Sequence, residues 1–258
     1  MFPDPVVLLM IVRTKQPVKI ERRYARAIKK IVRAMNRRVA REIRPHLATA
    51  IREMKNDAAI DDIDAAFDRI NAGFEGVFSA SARNAIFEVL ETLDKRFSFR
   101  ATPLVYSEHI NNFVRSAITV NARGVSDLAE AHSRRIRNAV YDGIIAGLTT
   151  KEIGKMLQKA TTITLRGAEL LARNQISTVN GKISLMAMGE AGVKKYIWRT
   201  ARDERVRGDP SGIWPNGRPS HYKREGKQYD IKKGAGPRDR HPGLGPLCRC
   251  YQEYILRS

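Results

Sequence analysis

The two cysteines of the chain, Cys248 and Cys250, stand one residue apart near its C-terminal end. Zinc prefers thiolate and imidazole donors, and the same region supplies further potential ligands at Asp203, His221 and His241. A loop-rich segment with little apolar content gains most stability from a bound metal. These five residues are therefore a candidate metal site.

A second hypothesis explains the cysteines without a metal. Residues at positions i and i+2 of a strand point to the same face, where Cys248 and Cys250 would serve as small buried apolar side chains. The C-x-C spacing is also a weaker zinc signal than paired C-x-x-C motifs. The sequence thus favours burial among apolar neighbours and no cofactor, with zinc as the alternative.

A cluster of basic residues marks the first predicted helix, which lies between Pro17 and Pro45. Apolar residues recur there every three or four positions, which predicts one buried stripe, while the other faces are almost all Arg and Lys. Such a surface is either a solvated helix face, partly neutralised by the acidic segment "DDIDAAFD", or a binding surface for DNA. The candidate nucleic-acid-binding residues are Arg22, Arg23, Arg26, Lys29, Lys30, Arg33, Arg37, Arg38 and Arg41.

The composition indicates the partners and the compartment. With 47 Lys and Arg against 27 Asp and Glu, the net charge of +20 attracts polyanions such as nucleic acid, a membrane surface or an acidic protein. Two cysteines are too few for a disulfide scaffold, which indicates a reducing compartment. The run "VVLLMIV" is shorter than the roughly 20 residues that span a bilayer, and Asp4 precedes it where a signal peptide is basic. We therefore expect a soluble, unexported protein.

Hydrophobic periodicity predicts helices up to about residue 190. They include separate helices in "SEHINNFVRSAITV" and "VSDLAEAHSRRIRNAVYDGIIAG", a capping box formed by Thr149 and Glu152, and a further helix that ends at Gly192. Next, "KKYIWRTA" favours a strand, and residues 208–246 are dominated by Gly, Pro and charge. The predicted fold class is mainly α, with an elongated multi-helix N-terminal region followed by a small α+β, loop-rich C-terminal module.

Four short motifs follow one another over residues 125–256, and their order resembles that of one known protein family. "ARNQ" at 172–175 resembles the family's A-R-[TN]-[EQ] helix signature, and "WRTARDERVR" at 198–207 resembles its W-x-T-x-x-D-x-R-V-R turn. "HYKREGKQYDI" supplies a histidine followed by G-K and an aromatic residue, and "CRCYQEY" supplies the closing C-R-C pair. One departure is the segment "GDPSGIWPNGRPS", which separates the turn from the histidine. This order of motifs resembles the phage head morphogenesis family, the Mu F-like minor head proteins. The motif residues are Arg173, Trp198, Asp203, Arg205 and Arg207.

This resemblance implies a minor capsid protein of a tailed phage that acts in head assembly or in DNA packaging and delivery. It implies a place in the virion at the portal vertex after synthesis in the host cytoplasm, and no catalytic activity. The implied partners are the portal protein, the major capsid protein and double-stranded DNA bound without sequence readout, with no membrane. The chain then divides into a basic helical region (1–124), the helical part of the head-morphogenesis-like domain (125–192) and a C-terminal module (193–258).

Two other functions stay open from the residues alone. A metal-dependent nuclease could use the five candidate ligands, with a histidine activating water and the metal stabilising the phosphoryl charge. A free-standing, non-specific DNA-binding protein would equally explain the net positive charge, although no reader motif is recognisable in the sequence.

Overall fold

The computed structural model describes residues 9–53, 57–97 and 103–257. Among them are six α-helices and four strands, with short 3₁₀ turns at Leu104–Tyr106 and Tyr222–Arg224. The predicted fold class, mainly α with a small C-terminal sheet, is confirmed. The helices are α1 (Val18–Glu42), α2 (Arg44–Glu53), α3 (Asp57–Ala72), α4 (Glu75–Arg96), α5 (Glu108–Ile145) and α6 (Thr150–Glu190), and the strands are β1 (Leu9–Arg13), β2 (Lys195–Arg199), β3 (Gln228–Asp230) and β4 (Tyr251–Arg257).

The chain forms two compact units. One, which we call the sheet unit, contains the described residues within 1–20, 86–117 and 173–258. The other, which we call the helical unit, contains those within 21–85 and 118–172. The division predicted at residues 124 and 192 stays a prediction, and Asp4 lies outside the described residues.

Helix α1 has the buried stripe that its periodicity predicts. Seven apolar side chains, spaced three or four residues apart, are each at most 6% exposed, and they are Ile20, Tyr24, Ile28, Ile31, Met35, Val39 and Ile43. The helix starts directly after Pro17. Pro45 lies in the first turn of α2, where a missing N–H breaks no intrahelical hydrogen bond.

Two pairs of segments that the sequence assigns to separate helices are continuous. Helix α5 passes through Gly124, and α6 runs from the capping box through Gly167 to Glu190. The prediction of breaks was wrong because one glycine inside a helix costs only about 1 kcal/mol. The neighbouring Val125 and Ala168 are fully buried, and their packing offsets that cost.

The ends of α6 follow the sequence signals. The Thr149 amide donates to Glu152 Oε2 over 2.8 Å, and the Glu152 amide donates to Thr149 Oγ1 over 3.4 Å, so the predicted capping box is confirmed. At the other end Gly192 has φ +77°, and the Val193 amide donates to the Met188 carbonyl over 3.0 Å. A left-handed glycine of this kind closes a helix without steric strain.

The four strands form one antiparallel sheet in the order β1-β4-β2-β3. Strand β2 confirms the prediction for "KKYIWRTA". Strand β1, which the sequence does not predict, pairs with β4 in a register that places Ile11 opposite Ile255. The largest buried side chains of the sheet are aromatic: Tyr196, Trp198 and Tyr254 are each at most 1% exposed.

A fully buried histidine lies in the helical unit. His132 Nε2 is 2.7 Å from Asn36 Oδ1, and its Nδ1 is 3.0 Å from Thr164 Oγ1. The Asn36 amide nitrogen donates to Thr161, which orients its oxygen toward the histidine. His132 Nε2 therefore carries the proton and Nδ1 accepts. Burial lowers the pKa of His132 to about 4.

We expect this histidine to make the protein less stable in acid. Unfolded His132 binds a proton below about pH 6.5, whereas the folded residue stays neutral down to a pKa of about 4. Its contribution is therefore lost as the pH falls through this window, by up to about 3 kcal/mol. Urea unfolding at a series of fixed pH values measures this loss in the free energy of unfolding. His132→Gln should lose less stability between pH 7 and pH 4 than the wild type, and equal losses would contradict the assignment.

Candidate functional site

The candidate site lies in the sheet unit, where the segment before β4 meets the loop of residues 208–246. Cys248 and Cys250 lie in this extended segment, and not on the terminal strand where the sequence places them. Both cysteines are buried, at 4% and 3% exposed. Alternate side chains of an extended segment point to one side, so both sulfurs face the same neighbour, His221.

The imidazole of His221 contacts both sulfurs. Its Nδ1 lies 3.5 Å from Cys248 Sγ and 3.6 Å from Cys250 Sγ, and the ring is 2% exposed. Its Nε2 lies 3.1 Å from Asp239 Oδ2. Because a carboxylate accepts, Nε2 donates to Asp239, and Nδ1 is the nitrogen that faces the thiols. We call His221, Cys248 and Cys250 the His-Cys-Cys cluster.

The two thiols of the cluster are electrostatically unequal. The hydrogen bond between them lowers the pKa of Cys248 well below its usual range despite burial, and His221 and the amide of Gly243 act in the same direction. The Gly243 nitrogen is 3.4 Å from Cys248 Sγ. The same bond, together with burial, raises the pKa of Cys250. Thiolate character is therefore favoured at Cys248 over Cys250.

The partner of His221, Asp239, is not predicted from the sequence. Arg207 forms an ion pair with Asp239 and also donates to the Pro246 carbonyl over 3.2 Å. Arg224 donates to the Asp239 carbonyl over 2.7 Å. Asp239 lies 18 residues after His221 in irregular backbone, where no periodicity relates the two positions.

The segment between Arg207 and His221 is a loop whose two ends are joined by hydrogen bonds. The amides of His221 and Tyr222 both donate to the Arg207 carbonyl, over 2.8 and 3.1 Å, so the loop ends where it begins. Within it the Gly208 amide donates to the Trp214 carbonyl over 2.9 Å. The segment therefore returns the chain at His221 to within hydrogen-bond distance of Arg207, in the turn after β2.

The other two candidate ligands lie elsewhere. Asp203 forms an ion pair with Arg249 at 2.5 Å. His241 Nδ1 is 3.1 Å from the Tyr196 hydroxyl, and burial lowers the pKa of His241 to about 4. Of the five residues, the structure brings together only the His-Cys-Cys cluster, which is the one group in the described part of the chain with metal-ligand spacing.

Two of the five motif residues, Trp198 and Arg207, lie close to this cluster or to its partner Asp239. Trp198 is fully buried in β2, and its ring centroid lies 5.1 Å from the ring centroid of His221. The Arg224 guanidinium lies 4.8 Å from the centroid of the Trp198 ring. Arg205 is exposed in the turn after β2, and Arg173 is partly exposed on α6. The Arg207 guanidinium forms an ion pair with Asp239, and Asp239 in turn accepts from His221 Nε2.

A cleft of about 590 Å³ reaches the cluster. Its walls include all three cluster residues, Arg205 and the exposed Trp214. The donor atoms are thus buried in the protein and still border a space that admits water or a small ligand.

The nine predicted nucleic-acid-binding residues lie on α1. Seven are exposed, and Lys29 and Arg38 are half-buried. Six of the exposed residues follow one another at steps of four, four, three, four and four, which places them on one helix face opposite the buried stripe. We call these six the basic stripe: Arg22, Arg26, Lys30, Arg33, Arg37 and Arg41.

Among the described residues of the helical unit, ion pairs to a carboxylate engage Arg41 of the basic stripe and none of its other five members. Glu169 pairs with Lys29, and Glu42 pairs with Arg38 and Arg41. The acidic residues of α3, which the sequence suggests as neutralising partners, pair with His46 and Arg137 in the described part of the chain.

The family described as Phage Mu protein F like protein matches residues 134–253, from within α5 to within β4. The resemblance seen in the sequence is therefore confirmed over this part of the chain. The match contains the whole His-Cys-Cys cluster and leaves α1 outside.

A curated relative is similar over a comparable length. An uncharacterized protein of Haemophilus influenzae is 26% identical over 150 residues, which are 58% of this chain and 31% of the relative. The chain thus spans about a third of that relative's length. No solved structure matches the chain. None of the described helices is long and apolar enough to cross a membrane.

Proposed function

We propose that this chain is a minor head protein of a tailed phage, associated with the portal vertex and with packaged DNA. Its partners are the portal protein and the major capsid protein, and it acts in head assembly or in DNA packaging and delivery. The observation that carries the proposal is the family match over residues 134–253.

The contacts of the motif residues support a structural role. Asp203 of the turn after β2 pairs with Arg249 of the C-R-C segment, and Arg207 of the same turn pairs with Asp239. Each pair joins two segments that are far apart in the sequence. The signature therefore specifies a rigid module, which suits a protein that docks on a larger assembly and has no catalytic activity.

The basic stripe supports the contact with DNA. Six cations on one face of a helix spread over about five turns, or nearly 30 Å. Basic side chains arranged in this way neutralise phosphates of any sequence, because phosphate contacts carry no base information. This is the binding expected of a protein beside packaged DNA.

We expect the purified, tagged chain to retain portal rings after nuclease treatment at physiological salt. Nuclease treatment removes DNA that could bridge two cationic surfaces. A variant whose basic stripe is changed to glutamine is the matched control, and it should retain the portal ring equally well. Mass spectrometry of virions should find the chain in far fewer copies than the major capsid protein.

Two outcomes would favour the other functions. A nuclease would convert supercoiled plasmid to nicked or linear DNA when Zn²⁺ or Mg²⁺ is added. A free-standing DNA-binding protein would bind duplex in solution, fail to retain the portal and be absent from virions. Either result would contradict the proposed role.

A further inference from the structure

We propose that the His-Cys-Cys cluster binds one zinc ion, with the fourth coordination position open to the cleft. This site goes beyond the proposed function, which requires no metal. The proposal rests on the positions of three donor atoms and of the groups around them.

The distances in the cluster fit a tetrahedral zinc site. Zinc lies about 2.3 Å from a thiolate and about 2.0 to 2.1 Å from an imidazole nitrogen, so tetrahedral angles place these donors about 3.5 to 3.6 Å apart. His221 Nδ1 lies 3.5 and 3.6 Å from the two sulfurs. All three donor atoms lie within 4.8 Å of one another.

The surrounding groups orient the donors as in known zinc sites. A metal-bound histidine usually donates its other N–H to a carboxylate, which fixes the ring. Asp239 accepts from His221 Nε2 and is itself held by Arg207. The Gly243 amide points at Cys248 Sγ, where it favours the thiolate that zinc binds.

The charge of the cluster also favours a dication. Zinc with two thiolates and one neutral imidazole is a neutral group, so the ion compensates the charge of both buried sulfurs. On binding, any proton on either thiol leaves for the solvent and both sulfurs become ligands. Thiolate and imidazole donors select zinc over the oxygen-preferring Mg²⁺ and Ca²⁺.

The open position follows from the cleft. The chain supplies three ligands from the described residues, and all three border the cleft of about 590 Å³. Water can therefore complete the tetrahedron. The ion would join the loop carrying His221 to the segment before β4. This part of the chain is poor in apolar side chains, so it gains the most stability from a metal cross-link.

The full chain, purified reduced from zinc-supplemented cells, should contain one zinc per molecule by elemental analysis. Exchange for Co²⁺ should give the intense visible bands of a tetrahedral site and a near-ultraviolet thiolate-to-cobalt band. Adding azide should shift the visible bands, because azide can replace the water. Chelation should speed hydrogen exchange in peptides spanning 214–250 and leave that of α1 unchanged.

Substitutions separate the ligands from their neighbours. Cys250→Ala and His221→Gln should each lose the metal, whereas His241→Gln, a matched buried histidine of the same module, should keep one zinc per chain. Asp239→Asn should weaken zinc binding by about 10- to 100-fold, because the carboxylate only orients the ligand.

Several results would overturn the proposal. Less than about 0.2 zinc per chain, combined with no cobalt bands on titration of the reduced wild type, would exclude the site without any variant having to fold. Zinc retained in Cys250→Ala would exclude these ligands. Cobalt bands that azide leaves unchanged would exclude the open position.

Discussion

Changing Arg26, Arg33 and Arg37 to glutamine is expected to weaken binding to duplex DNA by about two to three orders of magnitude at 0.1 M salt. All three side chains are exposed on one face of α1. Each phosphate contact releases about 0.9 counterion, so three lost contacts remove about 2.7 from the salt slope. Glutamine has a helix propensity close to that of arginine, so the helix itself should remain.

The matched control removes three positive charges from the sheet unit. Lys223, Lys227 and Lys232 are exposed there and are not part of the basic stripe. Changing them to glutamine lowers the net charge equally, yet it should alter the salt slope by less than about one unit. Measuring the duplex affinity of both variants from 50 to 300 mM salt tests this difference in slope. Equal losses in both variants would mean that net charge, and not the basic stripe, binds the DNA.

The second large effect is expected at Glu253, the buried carboxylate of β4. It is 3% exposed and pairs with Arg13 of β1 at 2.5 Å and with Arg199 of β2 at 2.6 Å. One carboxylate thus joins three adjacent strands. Glu253→Ala should destabilise the sheet unit by about 3 kcal/mol, because the charge-assisted hydrogen bonds that the buried carboxylate accepts from Arg13 and Arg199 are lost.

Tryptophan fluorescence during urea unfolding measures this loss, since both tryptophans, Trp198 and Trp214, lie in the sheet unit. The control is Glu204→Ala, which removes an exposed pair with Arg205 in the same unit and should cost less than about 0.5 kcal/mol. A Glu253 loss as small as that of the control would show that the three-strand pairing contributes little.

The pH dependence at Glu253 has a definite sign. Burial raises the pKa of Glu253, but hydrogen bonds from Arg199 and Arg13 outweigh it, so the pKa is lowered overall. A carboxylate of this kind contributes its stability above its unfolded pKa, and that contribution is lost as the pH falls through the folded value. Glu253→Gln should therefore flatten the acid limb of the stability curve.

The sequence by itself determined the helical part of the protein. Helical hydrogen bonds and side-chain faces are local, so spacings of three and four residues were enough to predict the buried stripe of α1 and the cap of α6. The same locality explains the errors. A glycine in α5 suggests a break from the sequence alone, and only the buried Val125 beside it shows that the helix continues.

Only the tertiary structure decided the sheet and the His-Cys-Cys cluster. Strand β1 pairs with β4 from the other end of the chain, and such a pairing leaves no periodic trace in either segment. The sequence proposed five ligands, but side-chain directions in an irregular loop depend on distant packing. Tyr196 holds His241 away from the sulfurs, while Asp239, absent from the proposed set, orients His221 toward them. The sequence thus shows which residue types could bind a metal. It does not show which of them lie together, because their positions depend on contacts between segments far apart in the sequence.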